Sequence, residues 1–150
     1  MPKSPIQYVR TILCNKSIID TESNNISLME LLEEITIQLK EPLPEGKPAG
    51  FPIQFDVVTF WKKEKEADDA KVMVRLEIID PKGITLNTHD ATFDIPKDKQ
   101  SMRFIIKMGS LNITTSGIYL FRVSYQEQGE AAYKKVDEIP LSVTLEVLQK

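Results

Sequence analysis

The stretch Gly117-Ile118-Tyr119-Leu120-Phe121-Arg122-Val123-Ser124-Tyr125 decides the fold. Tyr119, Phe121, Val123 and Tyr125 share one parity, so a β-strand places all four side chains on one face. Gly117 opens the run after the polar cluster Thr114-Thr115-Ser116, and the turn Glu127-Gln128-Gly129-Glu130 closes it. The pattern predicts a central strand of an all-β sandwich.

The neighbouring stretches repeat the period of two. Met102, Phe104, Ile106 and Met108 alternate before it, and Ile139, Leu141, Val143, Leu145 and Val147 alternate after it, with Pro140 marking a bulge or an edge. Upstream, Phe51, Ile53, Phe55, Val57, Thr59 and Trp61 form a strong strand pattern, and Val72, Val74, Leu76 and Ile78 form another. The mixed-charge run from Lys62 to Asp69 between them reads as a solvated hairpin loop. Asp80-Pro81-Lys82-Gly83 is a turn, since proline presets φ and glycine tolerates positive φ. From Ile84 to Ile95 the apolar phase slips, which predicts a bulge at Asn87-Thr88-His89-Asp90. Tyr8 to Cys14 is a first strand rich in β-branched residues, followed by polar sequence from Asn15 to Asn25. Ile26 to Leu39 reads as a long, bent strand, with a helical turn over Met29 to Glu34 as the alternative. The proline-rich segment Glu41 to Phe51 reads as a crossover between sheets or a binding loop.

Seven to nine strands with close turn signals and almost no helix predict an immunoglobulin-like antiparallel β-sandwich, a single domain over residues 1–150 with residues 1–6 as a flexible N-terminus. Thr115-Ser116-Gly117-Ile118-Tyr119-Leu120-Phe121 resembles the tyrosine corner of such domains, in which a tyrosine hydroxyl bonds back to backbone a few residues upstream. Cysteine pairing is absent, because Cys14 is the only cysteine. A second resemblance rests on Val9-Arg10-Thr11-Ile12-Leu13-Cys14, Ile26-Ser27-Leu28-Met29-Glu30-Leu31-Leu32, Phe51-Pro52-Ile53 and Gly117-Ile118-Tyr119. Together these look like landmarks of a family of small prokaryotic β-sandwich proteins of unknown function. That family tends to have glycine where Glu30 stands. The resemblance implies that Ile26 to Leu32 is a strand, and it brings no catalytic residues.

Composition narrows the function classes. A net charge of −3 and a pI near 5.3 give no electrostatic footprint for nucleic acid, so no nucleic-acid partner is expected. No run reaches the roughly 18 apolar residues of a membrane helix, and the N-terminus has no signal-peptide pattern. With one cysteine, the expectation is a cytoplasmic protein.

Chemistry-bearing motifs are sparse. His89 is the only histidine and has no evident partner, so it reads as a surface residue. Cys14 reads as a buried, inert thiol. Asp80, Asp90 and Asp94 lie near strand ends but lack calcium-loop spacing, and the scattered glycines form no phosphate loop. The expectation is therefore a non-enzymatic protein without metal or cofactor. It engages a protein partner or a second copy through an edge strand, either Tyr133 to Val147 or the first strand. The alternative is a small-ligand or carbohydrate-binding module built on Phe60, Trp61 and Tyr133. Phe60 and Tyr133 fall at outward or edge positions, whereas Trp61 shares the core parity of Phe55 and Val57.

Overall fold

A computed structural model describes residues 6–64 and 68–148. Those residues form eleven strands and no helix, so no helix among them is long and apolar enough to cross a membrane. The strands are β1 (Ile6–Ile19), β2 (Ile26–Leu31), β3 (Glu34–Leu39), β4 (Ala49–Phe51), β5 (Phe55–Lys63), β6 (Ala70–Ile79), β7 (Thr85–Ile95), β8 (Ser101–Met108), β9 (Leu111–Ile113), β10 (Gly117–Glu127) and β11 (Lys134–Val147). Nine of them make an all-β sandwich. A four-stranded sheet in the order β2-β1-β5-β8 faces a five-stranded sheet in the order β3-β11-β10-β6-β7, and β4 pairs with β9 separately.

Alternation in the sequence becomes burial in the fold. The inward row of β10, Tyr119, Phe121 and Val123, is fully buried, while Ile118 of the opposite parity is 58% exposed. Opposite it, β5 turns Phe55, Val57 and Trp61 inward. Trp61 packs against Tyr8 at 5.3 Å, Tyr125 at 5.2 Å and Phe93 at 5.6 Å, so aromatic rings from both sheets interlock in one core.

The chain from Ile26 to Leu39 is the long, bent strand of the sequence reading. It lies antiparallel to β1, kinks at Leu32-Glu33, then runs parallel to β11 in the other sheet. The kink stays hydrogen-bonded, because Leu32 N–H donates to Leu13 O and Ser142 N–H donates to Glu33 O. Among the described residues this is the one parallel pair in an otherwise antiparallel sandwich.

Several local expectations need correction. Lys62 to Asp69 does not close a hairpin, because β5 and β6 belong to different sheets. Residues 65–67 of that run lie outside the described residues. Met1 to Pro5 also lie outside them, but Ile6 is no flexible tail: it opens β1 and is 3% exposed. The bulge in β7 falls at Leu86, between the pairs Ile78–Asn87 and Ile79–Thr85, just before the predicted position. The two strands nominated as partner edges each change neighbour along their length: β1 passes from β5 to β2 at Cys14, and β11 passes from β10 to β3 at Ser142–Val143. β2 covers β1 from Cys14 to Ile19, and β3 covers β11 from Ser142 to Val147. The uncovered halves are joined across the seam, where the Tyr8 hydroxyl bonds to Asp137 at 2.5 Å.

Candidate functional site

The site begins with a bulge. In β1 the register with β5 passes from Tyr8–Trp61 to Arg10–Phe60, which leaves Val9 as the extra residue. One extra residue inverts the side-chain phase. Tyr8 therefore packs inward on Trp61, while Arg10 stands on the outer face beside Phe60. On the other side of Phe60, β8 places Arg103 in register. The cross-strand row on this outer face is thus Arg10–Phe60–Arg103, with the Arg10 guanidinium 5.5 Å from the ring centre.

β1 then runs past the end of its pairing with β5 and, with β2, forms a two-stranded arm. Two contacts hold the arm across the outer face of its own sheet. Near its base, the backbone N–H and hydroxyl of Ser17 both donate to the Asp56 carboxylate of β5, at 3.1 and 2.7 Å. At its tip, Arg103 Nη2 of β8 donates to Asn24 O at 2.6 Å. The tip turn is tied internally by Asp20, which accepts the N–H groups of Glu22 and Ser23. Those bonds hold the Asp20 carboxyl below the usual carboxylate range. Asn24 takes φ 60, a left-handed conformation to which asparagine is suited.

Between the arm tip and the sheet lies a cleft of about 620 Å³. Arg10, Lys62, Lys99 and Arg103 line it together with Phe60, and no acidic residue does. None of these four cations forms an ion pair among the described residues. The arm also presents an apolar row. Cys14–Leu31 and Lys16–Met29 are in register, and Ile18 follows on the same face. Ile18, Met29 and Leu31 are 44%, 49% and 55% exposed.

The three aromatic candidates separate. Phe60 is half-buried in the floor of the cleft. Trp61 faces the core at 1% exposure, and its indole N–H donates to Thr59 Oγ1 at 2.8 Å, so it offers no stacking face. Tyr133 lies in the loop just before β11, with the Arg75 guanidinium of the five-stranded sheet 4.1 Å from its ring centre and Arg75 bound to Asp90 through two nitrogens. The protein thus has no joint aromatic platform from these three.

The acidic candidates do not gather either. Asp90 is engaged by Arg75, while Asp80 serves the turn and Thr114. Among the described residues no three of His, Cys, Asp and Glu come together. His89 is not the surface residue expected. It pairs with Leu76 of the inward row, and its Nε2 is enclosed without a hydrogen-bond partner among the described residues. Cys14 is fully buried opposite Asp56, and burial followed by that carboxylate pushes its thiol up.

No protein-family model matches the chain, and no curated protein matches it. A solved structure described as the crystal structure of the C-terminal domain of wzt is similar in fold, at 15% identity with a TM-score of 0.51. The likeness covers 95% of this chain and 75% of that one.

Proposed function

We propose that the protein is a non-enzymatic protein-interaction module, and that its partner adds an extended segment to the open edge of β2. The observation supporting this is the arm. β2 is the outermost strand of its sheet, and Ile18, Met29 and Leu31 stand exposed in one row beside its free backbone edge. An unguarded edge offers backbone groups for strand addition, and alternating apolar side chains of an added strand would cover the row. The edge of β2 is favoured over those of β1 and β11 because β2 is the outermost strand of its sheet and carries the exposed apolar row.

The resemblance to small prokaryotic sandwich proteins belongs to the same proposal. Glu30 supports it: the residue sits at φ 54, a backbone conformation that suits the glycine of that family. A cytoplasmic setting fits the single cysteine.

A photo-crosslinking residue at Leu31, compared with one at Ile118 on the opposite side, tests the proposal in the native cell. Adduct formation from Leu31 that Met29→Lys abolishes is expected. Equal labelling from Ile118, or no loss on Met29→Lys, contradicts it. Sedimentation of the purified protein separates a foreign partner from a second copy.

A further inference from the structure

We propose that the cleft between the arm and the four-stranded sheet is a second binding site, for a small ligand bearing two or more phosphate-type oxyanion groups. Four cations converge there without an ion-pair partner among the described residues and without an acidic neighbour in the lining. Like charges held together repel, and the chain as a whole is acidic at −3, so the cluster runs against the protein's own charge balance. A multiply charged anion relieves that repulsion.

The geometry sets the number of anionic groups. Arg10 and Arg103 occupy the two sides of Phe60 in one cross-strand row; their backbones stand two strand spacings, about 10 Å, apart, and the Arg10 guanidinium leans over Phe60 toward Arg103. One carboxylate or phosphate meets one of these guanidinium forks, whereas a ligand with two groups meets both. Arg103 spends Nη2 on Asn24 O, which leaves its remaining donors for a ligand. Lys62 and Lys99 add point charges, and the Phe60 ring beneath the Arg10 guanidinium supplies apolar surface in the lining. The volume of about 620 Å³ suits a small molecule. A nucleic-acid strand fits less well, because the arm tip bonded to Arg103 blocks a continuous path across the face.

Calorimetric titration of the full chain with inorganic pyrophosphate at physiological salt tests this site. Saturable one-to-one binding is expected, weakened roughly tenfold or more by Arg10→Gln and by Arg103→Gln. Arg10 does not hold the arm, so its variant reads the site even if Arg103→Gln releases the tip. Arg75→Gln, on the other sheet, is expected to leave binding unchanged. Pyrophosphate is expected to bind more tightly than sulfate, which has one group, or citrate, which has only carboxylates. The proposal is overturned by absence of saturable binding, by affinity indifferent to Arg10→Gln, by an equal loss with Arg75→Gln, or by sulfate or citrate binding as tightly as pyrophosphate.

Discussion

The Tyr119 hydroxyl donates to Thr115 O at 2.7 Å and accepts the Thr115 backbone N–H at 3.1 Å. It also accepts Thr114 N–H at 2.9 Å. One hydroxyl thereby satisfies three backbone groups of the loop that precedes its own strand. Tyr119→Phe strands them and is expected to cost roughly 1–3 kcal/mol. Tyr119→Ala adds a cavity in the core, for a total of about 3–5 kcal/mol. Ile118→Ala, on the exposed parity, is expected to change stability by less than about 0.5 kcal/mol. Denaturant titration of the three variants checks the order, and a severe Ile118→Ala with a neutral Tyr119→Phe reverses it.

Gly117 begins the same strand at φ 144, and a Cβ there would meet Pro81 Cγ at 2.7 Å and Pro81 Cβ at 2.8 Å. The proline ring cannot rotate away as a flexible side chain would. Gly117→Ala is therefore expected to cost on the order of 3 kcal/mol, through backbone strain and overpacking together. Thermal unfolding of this variant beside Gly129→Ala, where φ is 94 and the added Cβ meets nothing within 4 Å, separates the Pro81 clash from the backbone strain.

Asp80 ties the corner to the next turn. Its carboxylate accepts Ile84 N–H at 2.8 Å, Lys82 N–H at 3.0 Å and the Thr114 hydroxyl at 2.9 Å. Burial raises its pKa, but these bonds outweigh burial and hold it below the usual range. A depressed carboxyl stabilises the fold above its unfolded-state pKa, near 3.9 for aspartate, and that contribution is lost as pH falls through the lower folded value. Stability is expected to drop on acidification below about pH 4. Asp80→Asn should lower stability at neutral pH and flatten that acid limb, as read by denaturant midpoints across pH.

Glu30 holds a left-handed φ of 54 inside β2, with its carboxylate accepting from Asn15 Nδ2 at 3.1 Å on the surface. Removing the side chain relieves Cβ strain of about 1 kcal/mol. The greater freedom of glycine in the unfolded chain takes back part of the gain. Glu30→Gly is expected to stabilise by roughly 0.5 kcal/mol. A loss of stability would mean that the Asn15 bond outweighs the strain.

Much of the sandwich was legible because it rests on local pattern. Thr115-Ser116-Gly117-Ile118-Tyr119 announces the corner, and the parity of Trp61 with Val57 announces its place in the core. β9 leaves no such signal, because Leu111 and Ile113 alternate over only three residues beside Gly109 and the polar Thr114-Thr115. The cleft was illegible for a different reason. Its cations come from three strands and a turn, and the bulge at Val9 reverses the facing that simple alternation gives Arg10. Net charge reports a sum and not a placement, so −3 was silent about a local cationic cluster. The arm was hidden by the polar composition of Asn15 to Asn25, half of which continues β1.

Both binding surfaces depend on the arm lying across the outer face, and the Ser17 amide reports that directly through its bond to Asp56. The decisive measurement is amide hydrogen exchange at Ser17, resolved by NMR, in the unaltered protein and in Asp56→Ala. The expected result is a protected Ser17 amide that Asp56→Ala releases, while the amides of β10 stay protected. Exchange of Ser17 at the rate of an unstructured peptide in the unaltered protein would contradict it.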